Sequence, residues 1–287
     1  MGARNAGDIK ELCDMVKPDI GVITGIGNQH LATFGSVDAI VKTKGELVEY
    51  IQANGGEMVF NTDGPKAKEM FEKANCKKYQ TNIVGGGNIT ATNIRFTESG
   101  TTFDLNIGGK TIKDVSTTML GKHNVSNILV GVQIGLMLDI DIQTIVQAIS
   151  KMPPVAHRLA IVPSNNSLVV IDDAYNGSVE GSKAALEVLA SFDGKKVVIT
   201  PGLVELGQEQ FNCNFEFGRD MSKVCDYVII TGVVNYEAIS SGLAFAGFDE
   251  KNIIRAGNLT QAVQMLPSIT NPGDAVLFEN DLPDNYL

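Results

Sequence analysis

Apolar and polar residues follow two rhythms along the first half of this chain. DIKELCDMV, VDAIVKTKGELVEYIQ and PKAKEMFEKA repeat their apolar positions every three or four residues, the spacing of one helix face. Between them lie the short apolar runs DIGVITGI and GEMVFNT, which read as strands buried on both sides. That alternation predicts a parallel sheet covered by helices. The texture then changes. NITATNIRFT, TTFDLNIGG and KTIKDVSTTM are rich in threonine, alternate in polarity and are joined at Gly turns, which predicts a small antiparallel meander. Two helices follow, NVSNILVGVQIGLML and DIQTIVQAISKM, and Pro153 and Pro154 end the second.

A second alternating series occupies the remainder. Its strands are SLVVIDDAY, KKVVITPG, DYVIITG, NIIRAG and DAVLFEN. The helices SVEGSKAALEVLASF, EQFNCNFEFGRDMSKV, NYEAISSGLAFAG and LTQAVQMLP separate them. The expected fold is therefore α/β with two doubly wound domains, residues 1–152 and 153–287. Two such domains joined by a short hinge commonly hold ligand in the cleft between them. The first domain opens on a helix with no strand before it, so it reads as a fold entered part-way through.

Composition narrows the function classes. With 44% hydrophobic and 20% charged residues over 287 positions, the chain has material for two packed cores. A net charge of −10 argues against a broad nucleic-acid or anionic-membrane surface. No apolar run approaches a bilayer-spanning length, and MGARNAGDIKELCDMV has no signal-peptide core. Cys13, Cys76, Cys213 and Cys225 are scattered without zinc spacing, which predicts reduced thiols in the cytoplasm. Nothing in the pattern demands a homo-oligomer, and a monomer is expected.

Candidate chemistry gathers at strand ends and helix starts. GIGNQHLATFG follows the first buried strand and carries His30, one of three histidines. Lys44 lies on the next helix, and Gly45 beside it sacrifices helix propensity as though something approached closely there. In GKHNVSN, Asn124 and Asn127 are one turn apart. They read either as a helix cap with an exposed neighbour or, with Lys122 and His123, as a site for an anionic or purine ligand. His157 and Arg158 follow the prolines, where an arginine serves as a phosphate clamp or an interdomain salt bridge. VVIDDAYNGS ends a buried strand with Asp172, Asp173, Tyr175 and Asn176; adjacent acids point to opposite sides, so one faces a ligand and the other is structural. GLVELG offers Glu205 at the next strand end. There is no G-x-x-x-x-G-K-[ST], and GIGNQH lacks the third glycine of a dinucleotide fingerprint, which disfavours a dehydrogenase.

In order and spacing, MGARNAGDIKEL, GIGNQHLATFGS, VKTKGEL, GKHNVSNIL, HRL, IDDAYN, GLVELG and GDAVLFENDLPDNY resemble the Mur ligase family from end to end. The resemblance implies an ATP-dependent ligase of peptidoglycan synthesis that activates a carboxylate as an acyl phosphate for attack by an amine. The nearest likeness is to the branch that adds D-alanyl-D-alanine to UDP-N-acetylmuramoyl-tripeptide. It implies ATP and magnesium as cofactors, with His30 a magnesium ligand and Lys44 carbamylated to help hold a second ion. It implies Asn124 and Asn127 beside adenine, Arg158 on the phosphates and Asp173 on the ribose, with Tyr175 and Asn176 in the same loop. The family's phosphate loop, a magnesium-binding glutamate and the UDP-sugar domain lie upstream of the MGA stretch. The 287 residues alone are therefore expected to be inactive. GSVE replaces the usual Asn-Pro after the acid loop, and Asn214 stands where many members have histidine, which leaves the amine contacts open. Two alternatives stand beside this reading. One is a non-catalytic nucleotide- or partner-binding fragment of the same fold. The other is a related amide ligase of the folylpolyglutamate or cyanophycin type.

Overall fold

The structure is a computed structural model that describes residues 1–27, 34–83, 85–162, 164, 167–175 and 177–280. It divides into two compact units. The first holds residues 1–94, 102–116 and 122–151, and the second holds 95–101, 117–121 and 152–287.

In the first unit, α1 (Asp8–Val16), α2 (Val37–Asn54) and α3 (Pro65–Lys73) alternate with β1 (Ile20–Ile23), β2 (Glu57–Asn61) and β3 (Lys77–Asn82). β4 (Ile89–Thr97), β5 (Gly100–Ile107) and β6 (Lys110–Thr117) complete a six-stranded sheet in the order β1-β2-β3-β4-β5-β6. The pairs from β1 through β4 are parallel. Only residues 98–99 and 108–109 link the last three strands, too few for a parallel crossover, so these are hairpins. α4 (Lys122–Met137) and α5 (Ile142–Ser150) pack Val125, Leu129, Val132, Ile145 and Ile149 onto Phe103 and Leu105 of the meander. Met58, Val59 and Phe60 are each fully buried, because β2 has helices against both faces. Each such side chain contributes roughly 1.5–3 kcal/mol of burial.

The helix ends explain two local features. α1 has glycine at its N-cap and no capping side chain of its own. Glu46 of α2 supplies the acceptors instead, taking the N–H of Gly7 at 2.7 Å and of Lys10 at 3.0 Å. α4 begins at Lys122, just after Gly121 with φ 93°, so Asn124 lies inside its first turn. The Gly45 expectation also changes. A methyl at that position would meet only Met70 Cε, at 4.0 Å, so no described group approaches it closely.

The second unit is a doubly wound sheet. β8 (Val169–Asp173), β9 (Lys196–Thr200), β10 (Tyr227–Thr231), β11 (Ile253–Ala256) and β12 (Ala275–Glu279) are parallel, and β7 (Ala160–Val162) pairs antiparallel on the edge. The order is β11-β10-β9-β12-β8-β7, so β12 returns between β8 and β9. α6 (Val179–Ala190), α7 (Gln210–Met221) and α8 (Tyr236–Phe245) build one core with Ile171, Val198 and Leu277. α9 (Leu259–Ile269) builds the other with Val197, Ile229 and Val276. It runs past Pro267, further than the apolar spacing implied. β3 and β7 were not anticipated. KKYQTN is too polar to read as a buried strand, and AIV is too short to be read at all.

Candidate functional site

In the first unit, Lys44 projects from α2 toward the carboxyl end of β1. Its Nζ donates to the Gly25 carbonyl at 2.7 Å. The amine is half-buried, and that burial lowers its pKa from the ordinary lysine range. Ser36 caps α2 by accepting from Ala39 N–H at 3.1 Å, which fixes where the helix carrying Lys44 begins. Lys44, Thr43, Arg4 and Asp8 line a cavity of about 900 Å³. His30 lies outside the described residues. Among those described, no group of three His, Cys, Asp or Glu side chains could hold a metal. The Lys44 ammonium as it stands repels cations.

At the start of α4, Asn124 is half-buried and Asn127 exposed, one turn apart. Ser126 between them turns inward and donates to Asp63, whose other oxygen accepts Ile83 N–H at 2.8 Å. That interaction ties the helix start to the ends of β2 and β3. No sequence signal marked it.

The second unit gathers its polar groups where β8, β9 and β12 end. Arg158 is exposed and lies over the Tyr175 ring, 4.4 Å from its centroid. Its charge also acts on the Asp173 carboxyl. The adjacent acids do diverge, and both are engaged. Asp172 Oδ2 lies 2.8 Å from His157 Nδ1 and its Oδ1 accepts Ala174 N–H at 3.1 Å, while Asp173 Oδ1 accepts Leu159 N–H at 3.0 Å. Burial pushes Asp173 up to about 6, against the opposing pull of the Leu159 N–H and Arg158. Asn176 lies outside the described residues. Glu205, at φ 61°, stands in the β9 loop.

Two groups here carried no role in the sequence reading. Glu279 pairs with Asp173 across the β12–β8 register, is 1% exposed, and has no hydrogen-bond partner on either oxygen. Burial first, and Asp173 second, raise its pKa well above the carboxylate range. An acid ending the apolar run AVLF was the available signal. Asn280 accepts Gly177 N–H at 2.7 Å and donates to the Gly202 carbonyl at 2.6 Å, joining the two strand-end loops. Asn214, in the place where histidine was expected, is fully buried. It accepts Leu203 N–H at 2.8 Å and donates to the Leu203 carbonyl at 2.9 Å. Here it holds a loop. Gly202, at φ 87°, has no room for a side chain, since a methyl would come within 2.5 Å of the Asn214 amide oxygen.

Comparison with known proteins agrees with both units. Residues 1–135 match the Mur ligase middle domain, and residues 157–279 match the Mur ligase, glutamate ligase domain. The UDP-N-acetylmuramoyl-tripeptide--D-alanyl-D-alanine ligase of Bacillus subtilis is 27% identical over 97% of this chain and 60% of its own length. The enzyme of that name from Escherichia coli is 26% identical over 76% of this chain and 48% of its own. The chain thus spans about half to three-fifths of the curated relatives it matches. Among solved structures, the MurF ligase of Thermotoga maritima in complex with ADP superposes with a TM-score of 0.82. It is 21% identical and covers 98% of this chain and 62% of that one. A folylpolyglutamate synthase of Mycobacterium tuberculosis shares the fold at TM-score 0.69 and 18% identity, over 93% of this chain and 62% of its own. In their order along one chain, the two units are the middle and C-terminal domains of a Mur ligase, and the protein belongs to that family.

Proposed function

We propose that these residues form part of an ATP-dependent ligase that joins D-alanyl-D-alanine to UDP-N-acetylmuramoyl-tripeptide in peptidoglycan synthesis. The observation that carries this reading is the Lys44 amine, half-buried at the end of β1 and held by the Gly25 carbonyl. Carbamylation requires a neutral amine, and burial favours that form. Addition of carbon dioxide would replace an ammonium by an anion able, with His30, to hold magnesium. Bound there, magnesium would gather charge on the phosphates and on the substrate carboxylate.

The chain's own residues have the remaining roles. Asn124 and Asn127 would flank the adenine at the start of α4. Asp173 would accept from the ribose, and Arg158, pre-stacked on Tyr175, would contact the phosphates. Domains 1–152 and 153–287 would divide this work as nucleotide-handling and amine-handling parts. The amine then attacks the acyl phosphate carbonyl, and phosphate leaves.

Carbon-13 spectra of the chain under labelled bicarbonate test the central step. A carbamate resonance that disappears in Lys44→Ala is expected. An identical spectrum from that variant would remove Lys44 from the site. The ligase itself is tested in an enzyme carrying these residues together with a phosphate-binding loop, which should consume D-alanyl-D-alanine and release phosphate only when the tripeptide is present.

A further inference from the structure

At the carboxyl ends of its parallel strands, the second unit encloses a cavity of about 560 Å³ with walls that include Val170, Ile199, Val233, Leu259 and Phe278. The titratable residues lining it are His157, Asp172 and Glu279. Glu279 keeps both carboxyl oxygens closed to solvent, and Asp172 has both of its oxygens occupied. The His157 side chain is 62% exposed, against 18% for Asp172. A carboxylate only accepts, so Nδ1 carries the proton that faces Asp172, and in the neutral ring the lone pair is left on Nε2. The His157 backbone is held as well, because its carbonyl accepts Tyr175 N–H at 3.1 Å.

We propose that His157, held in one tautomer by Asp172, takes the proton from the incoming amine seated in this cavity. The inference rests on the ligase reading. An ammonium ion has no lone pair and cannot attack an acyl phosphate. The Nε2 lone pair supplies the acceptor that such a proton transfer requires. In that step the N–H bond of the ammonium breaks and an Nε2–H bond forms, leaving a neutral amine and an imidazolium that faces the Asp172 carboxylate. The amine lone pair then forms the C–N bond, the C–O bond to phosphate breaks, and the second amine proton leaves with the phosphate. His157 is the catalytic residue here and Asp172 a positioning residue.

Nitrogen-15 spectra of the imidazoles test this on the 287-residue chain, which has only three histidines to resolve. Near neutral pH, D-alanyl-D-alanine should move His157 Nε2 alone from the range of a bare ring nitrogen toward that of a protonated one. N-acetyl-D-alanyl-D-alanine, which has no ammonium, should leave it unmoved. Asp172→Asn should mix the two ring tautomers before any ligand is added, with the His123 signals unchanged as a check on folding. Equal responses to the two dipeptides, no response to D-alanyl-D-alanine or to n-butylamine, or a ring already protonated at Nε2 would overturn the proposal. n-Butylamine separates the layers. If it moves His157 and the dipeptide does not, the dyad stands and the D-alanyl-D-alanine assignment falls.

Discussion

The amine of Lys44 lies 2.7 Å from the carbonyl oxygen of Gly25, a bond from the middle of α2 to the end of β1. Its pKa is lowered by burial, so the folded state binds this proton less well than the unfolded chain does. Between the lowered value and the ordinary 10.5, the unfolded state carries more protons and stability rises with pH. Urea unfolding from pH 7 to pH 10.5 should therefore show the wild type gaining on Lys44→Met. A constant difference between the two would refute the shift.

Gly45, one residue on, should be replaceable. The helix continues through it, and an added methyl meets only Met70 Cε at 4.0 Å. Gly45→Ala should stabilise the first unit by about 0.5–1 kcal/mol, visible as a raised urea midpoint at unchanged slope. A lowered midpoint would mean that the position serves a close approach.

Asp173 and Glu279 give the opposite pH sign. Both carboxyls titrate higher when folded, Asp173 at about 6 against 3.8. The folded state therefore holds extra protons from about pH 4 upward, and stability is lost as pH rises through the folded values. Asp173→Asn keeps an acceptor for Leu159 N–H and removes the charge. It should raise stability by about 1–3 kcal/mol at pH 7.5 and by little at pH 4. Thermal melts at the two pH values decide this.

Asn280 joins two loops through one amide and sits at φ 62°, which asparagine tolerates and alanine does not. Asn280→Ala should cost about 2–4 kcal/mol, from two lost hydrogen bonds and the strain. Asn280→Asp keeps the acceptor for Gly177 N–H and should fall between. If the aspartate variant melts with the wild type, the bond to Gly202 contributes nothing.

The 287 residues contain no G-x-x-x-x-G-K-[ST] segment to cradle phosphates. Incubated alone with ATP and magnesium, they should release no phosphate above background. Sustained turnover in a phosphate-release assay would show that the nucleotide is held some other way.

Sequence by itself determined the α/β class, the strand-and-helix alternation of both halves, the meander, and the order of motifs that marks the family. Those features repeat at fixed short spacing, because one face of each element must leave water. The polar strand KKYQTN escaped that rule, since hydrogen bonding to β2 and β4 places it in the sheet without an apolar stripe. Only the tertiary structure decided which polar groups meet. Glu46 reaches α1 from the next helix, Ser126 reaches Asp63, and Asn280 reaches Gly177, 103 residues earlier in sequence. Asp172 and Asp173 read alike in sequence. One became the partner of an exposed imidazole and the other the neighbour of a sealed carboxyl, because adjacent residues on a strand face opposite sides and each side has its own surroundings.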